Sequence, residues 1–169
     1  MLKKRFYVIF ILVLLALAAS PVFAADADDK GSGLPVPRFV ALGTDEVNVR
    51  TGPGLRYPIR HIIRREGLPV EIIREFDVWR QIKDIDGDEG WVHKSMLSGK
   101  RSVVVRGTVH LLLKKPSEGA RPVVRLEPGV IAKLDTCVAN WCQLAVGGYD
   151  GWLKRQDIWG VYPDEKFED

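Results

Sequence analysis

The sequence predicts an all-β protein made of two small modules in tandem, and three observations carry that prediction. One is an internal repeat: Val47-Asn48-Val49-Arg50 leads through Gly67 and Trp79 to Gly90-Trp91-Val92, and Val109-His110-Leu111-Leu112 leads through Gly129 and Trp141 to Gly151-Trp152-Leu153. The offset is 62 at the first strand, the Gly and the lone Trp, and 61 at the Gly-Trp pairs, so one residue is missing between Trp141 and Gly151. A repeat of this length makes two modules of about 50 to 60 residues, near the lower limit for a self-supporting core. The second observation is turn chemistry about every ten residues with β-branched runs between, the mark of a barrel or sandwich. The third is the lack of a sustained helical period after residue 25.

The elements follow in order. Residues 25–37 run Ala, Asp, Lys, Gly, Ser and Pro with little to bury, and read as a mobile linker. In the first module, residues 38–97, Val47 and Val49 alternate with polar neighbours, so Asn48 and Arg50 point out of the fold. Thr51-Gly52-Pro53-Gly54 makes a sharp turn, followed by Ile59, Ile62 and Ile63. After Gly67 come Val70, Ile72 and Ile73, then Trp79 to Ile85, then a hairpin turn at Asp86-Gly87 and a strand at Trp91-Val92. A short joint, Ser98 to Arg101, holds the second module, residues 103–162, beside the first; its hairpin turn is Gly147-Gly148. Helix is limited to single turns near Lys94 to Leu97 and Arg155 to Ile158. Residues 163–169 form an acidic tail. Trp79 and Trp141 suit core or inter-strand packing, while Trp91 and Trp152 suit either the core or a groove wall, where a flat indole with one donor stacks on sugar or peptide.

The ordered set Asn48-Val49-Arg50-Thr51-Gly52-Pro53-Gly54, Gly67, Val70-Glu71-Ile72, Trp79, Gly90-Trp91-Val92 and Leu97 resembles the bacterial SH3-like (SH3b) family. The likeness is strong from Glu46 to Leu97 and weaker from Val109 to Ile158, where the turn segment has become His110 to Pro116 and the loop is read as lost. The resemblance implies two tandem SH3-like partly open barrels that bind peptides or glycan-linked peptides of the cell wall. The ligand is expected on Asn48, Arg50, Gly52, Pro53, Gly54, Tyr57, Trp91 and His93, and the degenerate loop of the second copy favours a division of labour in which one copy binds and the other packs. The expected function is therefore a non-catalytic binding module for a cell-wall glycopeptide or protein ligand. A structural or assembly protein of the envelope, acting through contacts with another envelope protein, is the alternative.

The N-terminus predicts export to the periplasm or medium. Lys3, Lys4 and Arg5 precede an apolar run from Phe6 to Ala19, and Val22-Phe23-Ala24 fits a cleavage rule, with Ala25-Asp26-Ala27 as a second candidate. Residues 1–24 thus read as a signal peptide whose run falls short of the roughly 20 residues of a spanning helix, so the membrane is met only in transit. Cleavage takes the 25 basic and 22 acidic side chains to 22 and 22. Residues 38–163 keep a mildly basic balance suited to an anionic wall polymer. Neither a dense basic stripe nor a motif points to nucleic acid.

No catalytic residue, metal or cofactor is expected. His61, His93 and His110 are isolated in sequence, Cys137 and Cys142 lack the further ligands of a zinc site, and the cluster Asp84, Asp86, Asp88 and Glu89 lacks calcium-loop spacing and reads as a hairpin tip. Superimposing the repeats at 62 places Cys137 on Glu75 and Cys142 on Arg80, each pair flanking a hairpin whose inward residue is read as Trp141 or Trp79. Directly opposed strand residues lie about 4.5 to 5.5 Å apart, within disulfide reach. Export permits a Cys137–Cys142 bond.

Overall fold

The computed structural model describes residues 31–168, so the expected signal peptide and the start of the linker lie outside the described residues. The first module comprises β1 (Arg38–Leu42), β2 (Val47–Arg50), β3 (Ile59–Ile63), β4 (Pro69–Phe76), β5 (Trp79–Lys83), β6 (Glu89–His93) and β7 (Leu97–Ser98). The second comprises β8 (Ser102–Val105), β9 (His110–Leu113), β10 (Pro122–Leu126), β11 (Ile131–Val138), β12 (Trp141–Val146), β13 (Tyr149–Lys154) and β14 (Ile158–Trp159), followed by β15 (Phe167–Glu168). Both sheets are antiparallel with one strand order, β3-β2-β6-β5-β4-β1-β7 and β10-β9-β13-β12-β11-β8-β14. Single 3-10 turns at Lys94–Met96 and Arg155–Asp157 fall where the sequence placed helix.

Alternation sets the cores. Val47, Val49, Val70, Ile72, Ile82 and Val92 fill the first module, and Leu112, Leu134, Leu144 and Leu153 fill the second together with both cysteines. The disulfide is formed, with Cys137 and Cys142 opposed across the β11–β12 hairpin and a Cα–Cα distance of 4.1 Å. Glu75 and Arg80 occupy the same register across β4–β5 and form an ion pair of 3.0 Å. The inward reading of the tryptophans is overturned by the same parity. Cys142 and Leu144 face the core, so Trp141 lies on the other face; Arg80 and Ile82 face inward, so Trp79 does not. Reducing the disulfide, or a Cys137→Ala, Cys142→Ala chain, should cost about 2 kcal/mol, because so short a loop constrains the unfolded chain only modestly. Urea unfolding with and without reductant measures it.

The repeat also slips. Arg50 pairs with Trp91 and Leu113 pairs with Trp152, so the counterpart of Arg50 in the second copy is Leu113 and not Leu112, and β2 and β9 match at an offset of 63. Leu112 is buried as Val49 is, whereas Leu111 is exposed as Asn48 is. At this offset the loop thought lost is present. Thr51 N bonds Pro58 O at 3.0 Å, Gly54 N bonds Gly52 O at 3.0 Å and Tyr57 N bonds Gly54 O at 3.2 Å. Their counterparts, Lys114 to Arg121, Ser117 to Lys115 and Ala120 to Ser117, measure 2.9, 2.8 and 3.1 Å. The second copy has lost side chains, not backbone. The residue missing after Trp141 shortens a hairpin: Asp84 N closes on Asp88 O at 3.0 Å around three residues, while Val146 pairs with Tyr149 around Gly147-Gly148, both at positive φ.

The segments on either side of the two modules dock. Ser32 Oγ donates to Glu75 Oε1 at 2.9 Å, with Ser32 N and the Arg38 guanidinium on the same carboxylate, so residues 31–37 are tied down where the sequence read a mobile linker. In the tail, β15 pairs with β11, Arg101 makes a two-pronged pair with Glu165 at 2.6 and 3.1 Å, and its guanidinium lies 4.8 Å over Phe167. The modules touch directly. Ser102 Oγ donates to Gly67 O at 2.6 Å, Tyr162 OH donates to Glu71 Oε1 at 2.9 Å, and Phe39 meets Trp159 edge-on at 5.0 Å. Burial, then the Glu71 carboxylate, push the Tyr162 hydroxyl well above the usual phenol range, so it stays a donor.

Candidate functional site

The predicted loop is built around Arg50. Its Nη1 donates to Tyr57 O at 2.8 Å and Leu55 O at 3.3 Å, so the guanidinium gathers the loop from inside instead of facing solvent. Gly52 is needed for space: a Cβ there would lie 2.5 Å from the Tyr57 ring, which packs flat on that turn next to Gly54. Arg56 lies 5.1 Å over the same ring, and its hydrogen bond with the hydroxyl holds the guanidinium pKa above its ordinary value. Pro53 is half-buried in the turn, and Leu55 at the tip is 78 % exposed.

Around the loop the other predicted residues divide. Asn48 is exposed on β2 opposite Ile62. Trp91, the cross-strand neighbour of Arg50, is 8 % exposed, with the Arg74 guanidinium 5.8 Å from its ring. His93 bonds Ser95 Oγ through Nδ1 at 2.7 Å and lies edge-on to Trp79 at 5.6 Å, capping that ring. Asn48 and the loop tip are exposed, while Arg50 holds the loop through its carbonyls, Trp91 is buried beside Arg50, and His93 packs on Trp79 and not on the loop.

A hollow also lies elsewhere. A cleft of about 730 Å³ opens between the modules, walled by Phe39, Glu71 and Lys83 of the first and by Trp141, Lys154 and Trp159 among others of the second. A smaller one of about 370 Å³ adjoins it, sharing Glu118, Trp141, Lys154 and Gln156 and floored by Leu111 and Leu113. Sequence reasoning missed both, because their walls come from segments far apart in the chain. The signal that could have found them is the change of Arg50 and His93 to Leu113 and Lys154, which strips one aromatic of its cover.

The ionisable clusters do structural work. His110 has Nδ1 3.5 Å from Asp157 Oδ2 and Nε2 3.0 Å from Arg106 O, a pairing across the module that the sequence did not reveal. Asp84 Oδ1 accepts from Asp86 N and Asp88 N at 3.0 and 2.9 Å, which organises the hairpin tip. Both sulfurs are consumed in the disulfide. Among the described residues, no group of three or more His, Cys, Asp or Glu is placed to hold a metal ion, and no helix is long and apolar enough to cross a membrane.

Comparison with known proteins gives a consistent picture. A family model described as Bacterial SH3 domain matches twice, over residues 43–99 and 108–160. A protein of Bacillus subtilis (strain 168) named putative N-acetylmuramoyl-L-alanine amidase YrvJ is 23 % identical over 168 residues, which is 93 % of this chain but 31 % of the relative. The chain thus spans about a third of that protein's length. The solved structures of NlpC1 and NlpC2 from Trichomonas vaginalis are 16 % and 13 % identical, cover 75 % and 79 % of this chain and 47 % and 52 % of theirs, and superimpose with TM-scores of 0.34 and 0.35. Superpositions that loose carry no functional argument.

Proposed function

Because the chain belongs to the bacterial SH3 domain family, we propose that it is an exported, non-catalytic module that recognises a peptidoglycan-type ligand of the cell wall. The observation that carries this reading is the match of nearly the whole chain to part of a protein named for an N-acetylmuramoyl-L-alanine substrate. Two further points support it: both modules belong to one binding family, and the cysteines are tied up in a disulfide. In the first module the ligand contacts Asn48, Tyr57 and the Gly52–Gly54 turn. Arg50 is a positioning residue, since it holds the carbonyls of Leu55 and Tyr57.

The open edge strand β3, with Ile59 and Ile62 exposed, favours the second reading, a protein partner in the envelope. One assay separates the two. Purified peptidoglycan sacculi should retain the chain in a pull-down, and Arg50→Ala and Tyr57→Ala should each weaken retention about tenfold, or about 1.4 kcal/mol. Undiminished retention by both variants removes this loop from the site. No retention of the unaltered chain leaves the protein-partner reading.

A further inference from the structure

We propose that the cleft between the modules is a second ligand site, one that takes an uncharged chain of N-acetylated sugars with Trp141 as its stacking platform. The proposal rests on the cell-wall reading above and gives it a glycan subsite on the module whose loop chemistry has been lost. The two copies place the same indole in different surroundings. Trp79 is 8 % exposed because His93 stands against it, whereas the counterpart of His93 is Lys154 and Trp141 is open to solvent on one side. Lys154 Nζ lies 5.8 Å from the Trp141 ring, held there by Glu118 Oε1 at 2.5 Å. A flexible lysine stem moves aside more readily than a packed imidazole.

Charge decides the ligand class. The cations on the cleft wall are already matched: Lys83 pairs with Glu71 at 2.5 Å, Lys154 pairs with Glu118, and Arg155 Nη1 donates to Tyr162 O at 2.6 Å. Arg106 Nε donates to Gln156 O at 3.0 Å. A polyanion would have to compete with these partners. An uncharged ligand leaves the Lys83, Arg106 and Arg155 contacts intact and needs only the Lys154 stem to swing off the Trp141 face. Aromatic faces next to exposed amides, here Trp141 and Trp159 with Asn140 and Gln156, suit the C–H faces and the hydroxyl and acetamido groups of a sugar. The volume of about 730 Å³ lies within the range of small-ligand sites, roughly 300 to 1,000 Å³. The adjoining hollow extends the track past Trp141 to Leu111 and Leu113, an apolar floor for acetyl methyl groups.

The test uses the full chain and the β-1,4-linked tetramer of N-acetylglucosamine. Titration followed by NMR should shift the indole N–H signals of Trp141 and Trp159 and leave those of Trp79 and Trp91 in place. Trp141→Ala should weaken tetramer binding at least tenfold, with Trp141→Phe retaining most of it; the NMR result on the unaltered chain stands even if Trp141→Ala fails to fold. Tetramer binding that moves no Trp141 signal, or no binding at all while sacculi still retain the chain, overturns the cleft assignment and leaves the cell-wall reading standing. Tetramer binding at Trp141 without retention on sacculi supports the sugar site and removes the cell-wall reading.

Discussion

Replacing Glu75 by alanine should lower the stability of the chain by about 3 kcal/mol, the low end of the cost of breaking a buried ion pair. The carboxylate is 8 % exposed, and Arg80, Arg38 and Ser32 all converge on it. Its removal leaves the Arg80 guanidinium buried, with the carbonyls of Asp77 and Trp79 at 2.8 and 2.9 Å as partial compensation, which is why the low end applies. It also releases residues 31–37, which Ser32 ties to that carboxylate, from the module. The pH dependence has a definite sign. Burial pushes the Glu75 pKa up, but the hydrogen bonds from Arg38 and Ser32 outweigh it and hold the group below its ordinary 4.5. Its contribution is therefore complete above pH 4.5 and is lost as pH falls through the lower folded value. Urea midpoints for the parent and Glu75→Ala should differ most above pH 4.5 and converge in acid; a constant difference would mean that the carboxylate acts by packing alone.

The same site shows what the sequence could reveal. Glu75 and Arg80 align on Cys137 and Cys142, and side chains that can form a salt bridge in one copy and a disulfide in the other must be cross-strand neighbours; the structure places both pairs in one register. The side of the hairpin on which Trp79 and Trp141 lie was not legible, because a large aromatic suits either face and only the pair beside it fixes parity. The first strand of the second copy was misaligned by one for a related reason: Leu111-Leu112-Leu113 has no apolar–polar alternation, so nothing in the letters says which leucine is buried. Arg50 meets Tyr57 and pairs with Trp91, and Gly52 packs on the Tyr57 ring, but Arg50 and His93 spend their polar groups on the protein itself. The cleft lay beyond reach because Phe39, Glu71 and Trp141 meet only once two modules dock.

The largest steric effect is expected at the two glycines of the Gly-Trp pairs. A Cβ on Gly90 would lie 2.3 Å from Val49 Cγ1 and 3.0 Å from Arg50 O; on Gly151 it would lie 2.7 Å from Leu112 Cγ and 2.8 Å from Leu113 O. Neither neighbour can yield cheaply. Val49 is β-branched and 1 % exposed, and the oxygens belong to the backbone of β2 and β9. Here β2 crosses onto β6, and β9 onto β13, each through a single cross-strand pair, Arg50 with Trp91 and Leu113 with Trp152. Gly90→Ala and Gly151→Ala should therefore each cost about 2 to 3 kcal/mol, as overpacking against fixed backbone does, and should disturb the indole N–H signal of the next residue, Trp91 or Trp152. Gly43→Ala is the control, since its Cβ would meet nothing nearer than Leu97 C at 3.4 Å, an ordinary contact. A methyl without a clash should leave stability within about 0.5 kcal/mol of the parent. If Gly43→Ala cost as much as Gly90→Ala in urea unfolding, the Gly-Trp signature would reflect a general intolerance of side chains at glycine positions, and the close approach of the strands would not be its cause.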